Sequence, residues 1–152
     1  LEPSGGDIYW LGKKLKNNLF NFYKSTTLIL DKPTSSMDMT VIENIIFWKR
    51  ISSSKINEES INRLLDVLKI DKYINTKTMY LSQGEVKKLE LTRLILEQKK
   101  LWILDEPYNH LDDVSIEILN QTFIDHTNND GMILFASHFN PIINNLETIE
   151  LD

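Results

Sequence analysis

The sequence of 152 residues contains no cysteine. This absence excludes disulfide bonds, thiolate catalysis and zinc–thiolate sites. Long apolar runs are also missing, because stretches such as 41–48 and 132–136 fall far below the roughly 20 residues that a membrane-spanning helix needs. If the protein works at a membrane, we expect another chain to span it.

Excess positive charge is missing as well. The formal net charge is −5, and the lysines are scattered along the chain rather than gathered in a stripe. A nucleic acid is therefore not expected as a partner. Hydrophobic residues make up 41% of the chain and charged residues 26%, which is typical of one ordinary globular domain.

The order of strand and helix patterns predicts an α/β fold. Strands are expected at 7–11 and 26–30, and the continuous apolar runs at 101–104 and 132–136 predict strands that are buried in a mainly parallel sheet. A helical pattern at 113–127 joins the last two as a βαβ unit. Helices are expected between about 40 and 98, beginning at Thr40, Asn57 and Ser82. A short helix at 141–146 and a strand at 148–151 complete the prediction.

The segment Leu81-Ser82-Gln83-Gly84-Glu85 is the first that can carry chemistry. Ser82 and Glu85 have the spacing of a capping box at the start of a helix. Such a start presents free N–H groups and the positive end of the helix dipole, and a glycine allows a phosphate to approach the backbone. A capped surface helix would show the same pattern.

The second segment is Asp105-Glu106-Pro107, directly after a buried strand. Ligands of open α/β sheets bind at the carboxyl ends of the strands. One carboxylate there can hold Mg²⁺, usually through water, and the next can orient or deprotonate an attacking water. A solvated acidic turn is the alternative interpretation.

The third candidate is His138, which follows the predicted strand at 132–136. If this strand is parallel to the one at 101–104, His138 lies at the same edge of the sheet as Asp105. A histidine that is merely packed or solvated is the alternative.

Taken in order and at these intervals, the segments resemble the ABC ATPase family, which has a P-loop NTPase-like fold. Residues 81–85 are similar to its signature, 101–106 to its Walker B strand, 108–112 to its D-loop and His138 to its switch histidine. The resemblance implies one domain, with residues 1–39 and 99–152 forming the α/β core and 40–98 an inserted helical subdomain.

The resemblance also implies a mechanism in which two such domains dimerise head to tail around ATP and Mg²⁺. The implied roles are catalysis for Glu106 and His138, Mg²⁺ binding through water for Asp105, contact with the partner's nucleotide for Ser82, Gln83, Gly84 and Glu85, and signalling across the interface for Asp112. The partners implied are a second ATPase subunit and transmembrane exporter subunits. Electrostatic positioning of this kind is most of what phosphoryl transfer requires.

Two departures from the family pattern affect this interpretation. The five glycines do not provide the Gly-x-x-x-x-Gly-Lys-Ser/Thr of a P-loop. Because a turn like 1–6 follows the P-loop helix in the family, we expect an N-terminally truncated domain that lacks the P-loop segment. Lys32 stands where the family has a glutamine that senses Mg²⁺ and phosphate. A lysine can face a phosphate only as a point charge, and a solvated loop lysine is the alternative.

Within the family, the residue sequences of segments 101–107 and 40–44 are similar to those of the ATPase subunits of the cytochrome c maturation haem exporter. This predicts a chain that works peripherally at an inner membrane, on the bacterial cytoplasmic or the mitochondrial matrix side. Two alternatives remain open: a non-hydrolysing scaffold or regulatory subunit that has lost the P-loop, and a soluble ABC ATPase of translation or DNA maintenance.

Overall fold

The computed structural model of the protein describes residues 5–139, 141, 143 and 146–149. The helices and strands are, in chain order, β1 (Tyr9–Trp10), β2 (Lys13–Lys14), α1 (Leu19–Ser25), β3 (Thr26–Ile29), α2 (Val41–Ile51), α3 (Glu58–Val67), α4 (Gln83–Glu97), β4 (Leu101–Asp105), α5 (Asp113–Asn128) and β5 (Met132–Ala136). Short 3₁₀ turns lie at Leu15–Asn17, Asp71–Tyr73 and Thr78–Tyr80.

A three-stranded parallel sheet in the order β3-β4-β5 forms the centre of the fold. Ile29 of β3 pairs with Leu104 of β4, which in turn pairs with Phe135 of β5. All three strands therefore end at the same edge. The predictions of parallel strands, and of a βαβ unit made of β4, α5 and β5, are confirmed.

The helices begin where the sequence places their caps. Thr40 and Glu43 form a complete capping box at the start of α2. Asn57 caps α3 by accepting a hydrogen bond from the N–H of Ser60. In each case a side chain satisfies an N–H group that the first helical turn leaves without an intrahelical partner.

The hydrophobic core has two parts, and α4 belongs to both. Its residues Leu89 and Leu96 pack with α2 and α3 in a helical cluster. Its residues Leu91 and Leu94 pack with β3, β4 and α5 in a sheet cluster. Because α4 is covered on two sides, charged residues that fall on this helix become buried with it, among them Lys87, Lys88 and Glu90.

The sheet departs from the prediction that its strands are buried on both faces. In β4, Trp102 and Leu104 are buried, but Leu101 and Ile103 are only half-buried. In β5, Leu134 is 63% exposed. The side chains of a strand alternate between the two faces. Helices α4 and α5 cover one face, while the described residues leave the other face of the sheet largely open.

The two ends of the chain differ most from the predictions. The strand expected at 7–11 is only the two-residue β1, which pairs with β2 in a small antiparallel hairpin. Helix α1 follows and was not predicted. The helix expected at 141–146 and the strand expected at 148–151 lie partly outside the described residues, and those of their positions that are described are neither helix nor strand.

Candidate functional site

The candidate site lies at the carboxyl edge of the sheet, where β4 ends in Asp105 and Glu106 follows. The backbone N–H of Glu106 donates to the carbonyl oxygen of Ala136 at 2.9 Å, which continues the pairing of β4 and β5 by one residue. Glu106 has a φ of 44°. This is the left-handed region, which residues with a side chain adopt less often than glycine. Other described turn residues adopt it as well, among them Ser53 and Asp130, so the hydrogen bonds of Glu106 rather than its φ mark the site.

Residues from the end of β5 hold the carboxylate of Glu106. The backbone N–H of His138 donates to it at 3.2 Å, and the hydroxyl of Ser137 donates at 3.4 Å. The Nε2 atom of His138 lies 3.6 Å from the same carboxylate, while the imidazole itself is fully exposed. The structure thus brings together Asp105, Glu106 and His138, as the sequence predicts.

A buried lysine, which the sequence analysis missed, lies beneath this edge. Lys87 is only 5% exposed, and its Nζ donates to the carbonyl oxygen of Asp105 at 3.5 Å. Burial lowers the pKa of its ammonium group. Four carboxylates act in the opposite direction: Asp31, Asp105, Glu90 and Glu106. The signal that could have found Lys87 is its place on a helix with apolar residues on either side.

The signature-like segment forms the N-terminus of α4. Ser82 accepts from the N–H of Glu85 at 3.3 Å, and the carboxylate of Glu85 accepts from the N–H and the hydroxyl of Ser82 at 2.8 Å each. Burial raises the pKa of Glu85, but hydrogen bonds from Tyr73 and Ser82 outweigh it and hold that pKa below its usual value. The predicted capping box is confirmed. The N–H groups of Gln83 and Gly84 stand in the first turn, where a helix offers no acceptor.

The structure shows a steric reason for a glycine at position 84 that the sequence does not reveal. A Cβ added at Gly84 would lie 2.6 Å from the backbone carbonyl oxygen of His110. The start of α4 therefore packs directly against the loop that joins β4 to α5. Only a glycine allows this approach, whether or not a phosphate binds there.

We expect Gly84→Ala to lower the free energy of unfolding by about 1–2 kcal/mol. Overpacking typically costs about 1–3 kcal/mol, whereas alanine gains only about 0.5–1 kcal/mol over glycine in a helix, so the steric effect is the larger one. Urea denaturation measures the difference, with the exposed neighbour Gln83→Ala as control. A Gly84→Ala variant as stable as the wild type would contradict the close approach to His110.

Asp112 is the N-cap of α5 and also contacts α4. Its carboxylate accepts from the N–H of Ser115 at 2.8 Å and from Nζ of Lys88 at 2.9 Å. Hydrogen bonds from the Ser115 side chain and from Lys88 lower the pKa of Asp112 to about 2. The predicted D-loop residue is thus already hydrogen-bonded within its own chain, where it links α5 to α4.

Lys32 lies in the loop after β3 and is exposed. No hydrogen bond or ion pair to another residue in the described part of the chain holds it. The same loop carries Asp31, one of the carboxylates around Lys87. Lys32 therefore follows β3 at the edge where β4 ends in Asp105.

The residues present are of the kinds that suit a nucleotide with Mg²⁺. Asp105 and Glu106 supply hard oxygen ligands, and no group of three or more His, Asp or Glu side chains lies close enough to hold a metal among the described residues. Mg²⁺ commonly binds through one or two carboxylates, with water and phosphate oxygens as its other ligands. The first turn of α4 offers N–H groups to an anion, while the hydroxyl of Ser82 must leave Glu85 before it can donate to one.

The parallel sheet with carboxylates at its carboxyl edge defines the class of fold, and comparisons with known proteins define the family. The family model described as ABC transporter matches residues 1–109. The chain therefore belongs to the ABC transporter family.

Its curated relatives include ATP-binding export proteins of one particular branch. The chain is 32% identical over 139 residues to the cytochrome c biogenesis ATP-binding export protein CcmA of Idiomarina loihiensis, and 31% identical over 151 residues to that of Rickettsia typhi. These matches cover 91% and 99% of this chain. Both resemblances predicted from the motifs, to the family and to its cytochrome c maturation branch, are confirmed.

The chain spans 62% of the length of the Idiomarina relative and 74% of that of the Rickettsia relative. A solved structure of an ATP-binding subunit of an ABC transporter superposes with a TM-score of 0.72 at 21% identity, over 91% of this chain and 59% of the other. That likeness confirms the predicted α/β fold of an ABC ATPase.

Proposed function

We propose that the chain is the ATP-binding and ATP-hydrolysing subunit of a membrane exporter, of the type that serves cytochrome c biogenesis. The observation that carries the proposal is the meeting of Asp105, Glu106 and His138 at one edge of the parallel sheet. The relatives named above are cytochrome c biogenesis export proteins, which supports this proposal. We add haem as the substrate and transmembrane subunits as the partners, because the resemblance of the motifs to the cytochrome c maturation branch implies both.

Each edge residue has a chemical role in this proposal. Asp105 would hold Mg²⁺ through water, and the bound ion would neutralise charge on the phosphates. Glu106 polarises the attacking water and accepts its proton. The hydroxyl of Ser137 and the backbone N–H of His138 fix the orientation of its carboxylate for this role. The exposed imidazole of His138 contacts the γ-phosphate. Lys32 adds a positive charge beside the phosphates.

The start of α4 contacts a second nucleotide, which is bound mainly by another ATPase subunit. Ser82, Gln83, Gly84 and Glu85 form this contact through the first turn of the helix. Asp112, which already joins α4 to α5, transmits changes at the interface between the two subunits. The subunit associates peripherally with the membrane through its partners. No helix among the described residues is long and apolar enough to cross a membrane.

The P-loop is the part of the machinery that these residues do not contain. In the proposed function it comes from outside the 152 residues, either upstream or on another chain. Lys32 and Lys87 do not replace it, because a P-loop binds phosphates mainly with successive backbone N–H groups that lysine side chains cannot imitate.

The proposal is tested on the assembled native complex. We expect the purified complex to hydrolyse Mg-ATP, and mass spectrometry to find in it a peptide with the P-loop pattern. A complex with neither activity nor such a peptide would contradict the proposal and favour a scaffold that keeps the fold and its protein contacts.

A further inference from the structure

A buried carboxylate on α4, that of Glu90, holds the loop that follows β3. Glu90 is only 2% exposed. The backbone N–H groups of Thr34 and Ser35 donate to its Oε1 at 2.8 and 2.5 Å, and the hydroxyl of Thr34 donates to its Oε2 at 2.9 Å. Two consecutive backbone N–H groups thus converge on one oxygen from a helix 55 residues further along the chain.

Arg93 supplies the opposite charge that a buried carboxylate needs. It donates to Oε2 of Glu90 at 3.4 Å and to the hydroxyl of Thr34 at 2.8 Å. Its Nε donates to Glu97 at 2.7 Å, and Glu97 accepts from the hydroxyl of Thr27 on β3 at 2.9 Å. The loop is therefore held by a network that α4 organises.

The loop that Glu90 holds begins at the candidate site. Asp31 follows β3 at the edge of the sheet where β4 ends in Asp105 and Glu106 follows, and the negative charges of all three carboxylates raise the pKa of Lys87. Lys87 and Glu90 are three residues apart on α4, so they lie on one side of the helix. The bonds of Glu90 to Thr34 and Ser35, together with the bond of Asn44 on α2 to Ser36, therefore limit how closely Asp31 and Lys32 approach this edge.

We propose that Glu90 is a positioning residue of the nucleotide site. It fixes Thr34 and Ser35 to α4, and through them it positions the preceding loop residues Asp31 and Lys32 at the site. This inference rests on the proposed function. Glu90 acts through the loop, because none of its contacts involves Glu106 or His138 directly among the described residues.

The test compares Glu90→Ala with Glu97→Ala in the full chain within its complex. Glu97 is the matched control, since it lies on the same helix and shares Arg93, but it bonds to β3 rather than to the loop. Without nucleotide, we expect amide hydrogen exchange at Thr34 and Ser35 to rise about tenfold or more in Glu90→Ala, and less than about twofold in Glu97→Ala. Glu90→Gln retains one acceptor oxygen and should give an intermediate rise.

Hydrolysis of ATP by the same complexes completes the test. We expect Glu90→Ala to lower kcat about tenfold, with partial rescue in Glu90→Gln, because misplacing charged groups by about 1 Å weakens phosphoryl transfer. Unchanged loop exchange in Glu90→Ala, or an equal rise in Glu97→Ala, would overturn the role of Glu90 in holding the loop.

The two proposals can fail separately. If the loop loosens in Glu90→Ala while kcat stays at the wild-type value, the positioning role is wrong and the proposed function stands. If the wild-type complex does not hydrolyse ATP, the proposed function fails, and the positioning role fails with it even where the difference in exchange is found.

Discussion

Replacing Glu106 by glutamine is expected to lower ATP hydrolysis by the assembled complex about 10²- to 10⁴-fold. The amide has nearly the size of the carboxylate, and its oxygen can still accept the hydrogen bond from the backbone N–H of His138. In the wild type this nitrogen lies 3.2 Å from the carboxylate. It cannot accept a proton from the attacking water. We therefore expect kcat to fall while the affinity for ATP stays within about threefold of the wild type, because removal of a group that acts in the transition state lowers kcat.

The matched control is Glu117→Gln, the same chemical change at an exposed position of α5. Hydrolysis by this variant should stay within about twofold of the wild type, since surface substitutions of this kind have small effects. The measurement is steady-state hydrolysis together with binding of a fluorescent nucleotide. If Glu106→Gln hydrolysed ATP as fast as Glu117→Gln, Glu106 would not be the base.

The sequence predicts the parts of the fold whose signals are local. The capping box of Thr40 and Glu43 marks the start of α2, and Ser82 with Glu85 marks that of α4. In each case two side chains within one turn satisfy N–H groups of the same turn, so no distant residue is needed. The run at 101–104 likewise predicts a strand, because it is too short for a buried helix.

Elements without a buried face were harder to predict. No residue of α1 is buried, and Phe20 is 78% exposed, so the apolar residues of this helix do not follow the period that burial on one side produces. The half-open sheet was missed for a related reason. A continuous apolar run shows that a strand can be covered on both faces, but not which segments of the chain cover them.

The candidate site was predicted as a set of residues and not as a set of contacts. Asp105, Glu106 and His138 meet because β4 and β5 are parallel, which the sequence indicated. The approach of Gly84 to His110 and the bonds of Glu90 to the loop depend on which side of α4 faces which segment, over 26 residues in one case and 55 in the other. Spacing along the chain carries no signal for such contacts, whereas the apolar residues on either side of Lys87 are a local signal for its burial.

Replacing Phe123 by alanine is expected to lower the free energy of unfolding by about 3–5 kcal/mol. Phe123 is 2% exposed in the centre of the sheet cluster. Its ring centroid lies 5.8 Å from that of Phe135, 6.1 Å from that of Tyr108 and 6.2 Å from that of Trp102. Rings on β4, on β5 and in the loop between β4 and α5 therefore all lose a neighbour, and large side chains of this kind cannot collapse fully into the cavity.

Phe20→Ala is the matched control, because it removes the same side chain from a position that is 78% exposed. Its effect should stay within about 0.5 kcal/mol. Urea denaturation of both variants measures the contrast. Since a domain is stable by only about 5–15 kcal/mol, the loss in Phe123→Ala is a large share of the total. Equal effects in the two variants would contradict the packing of α5 on the sheet, and with it the support that Phe123 gives to Tyr108 beside the candidate site.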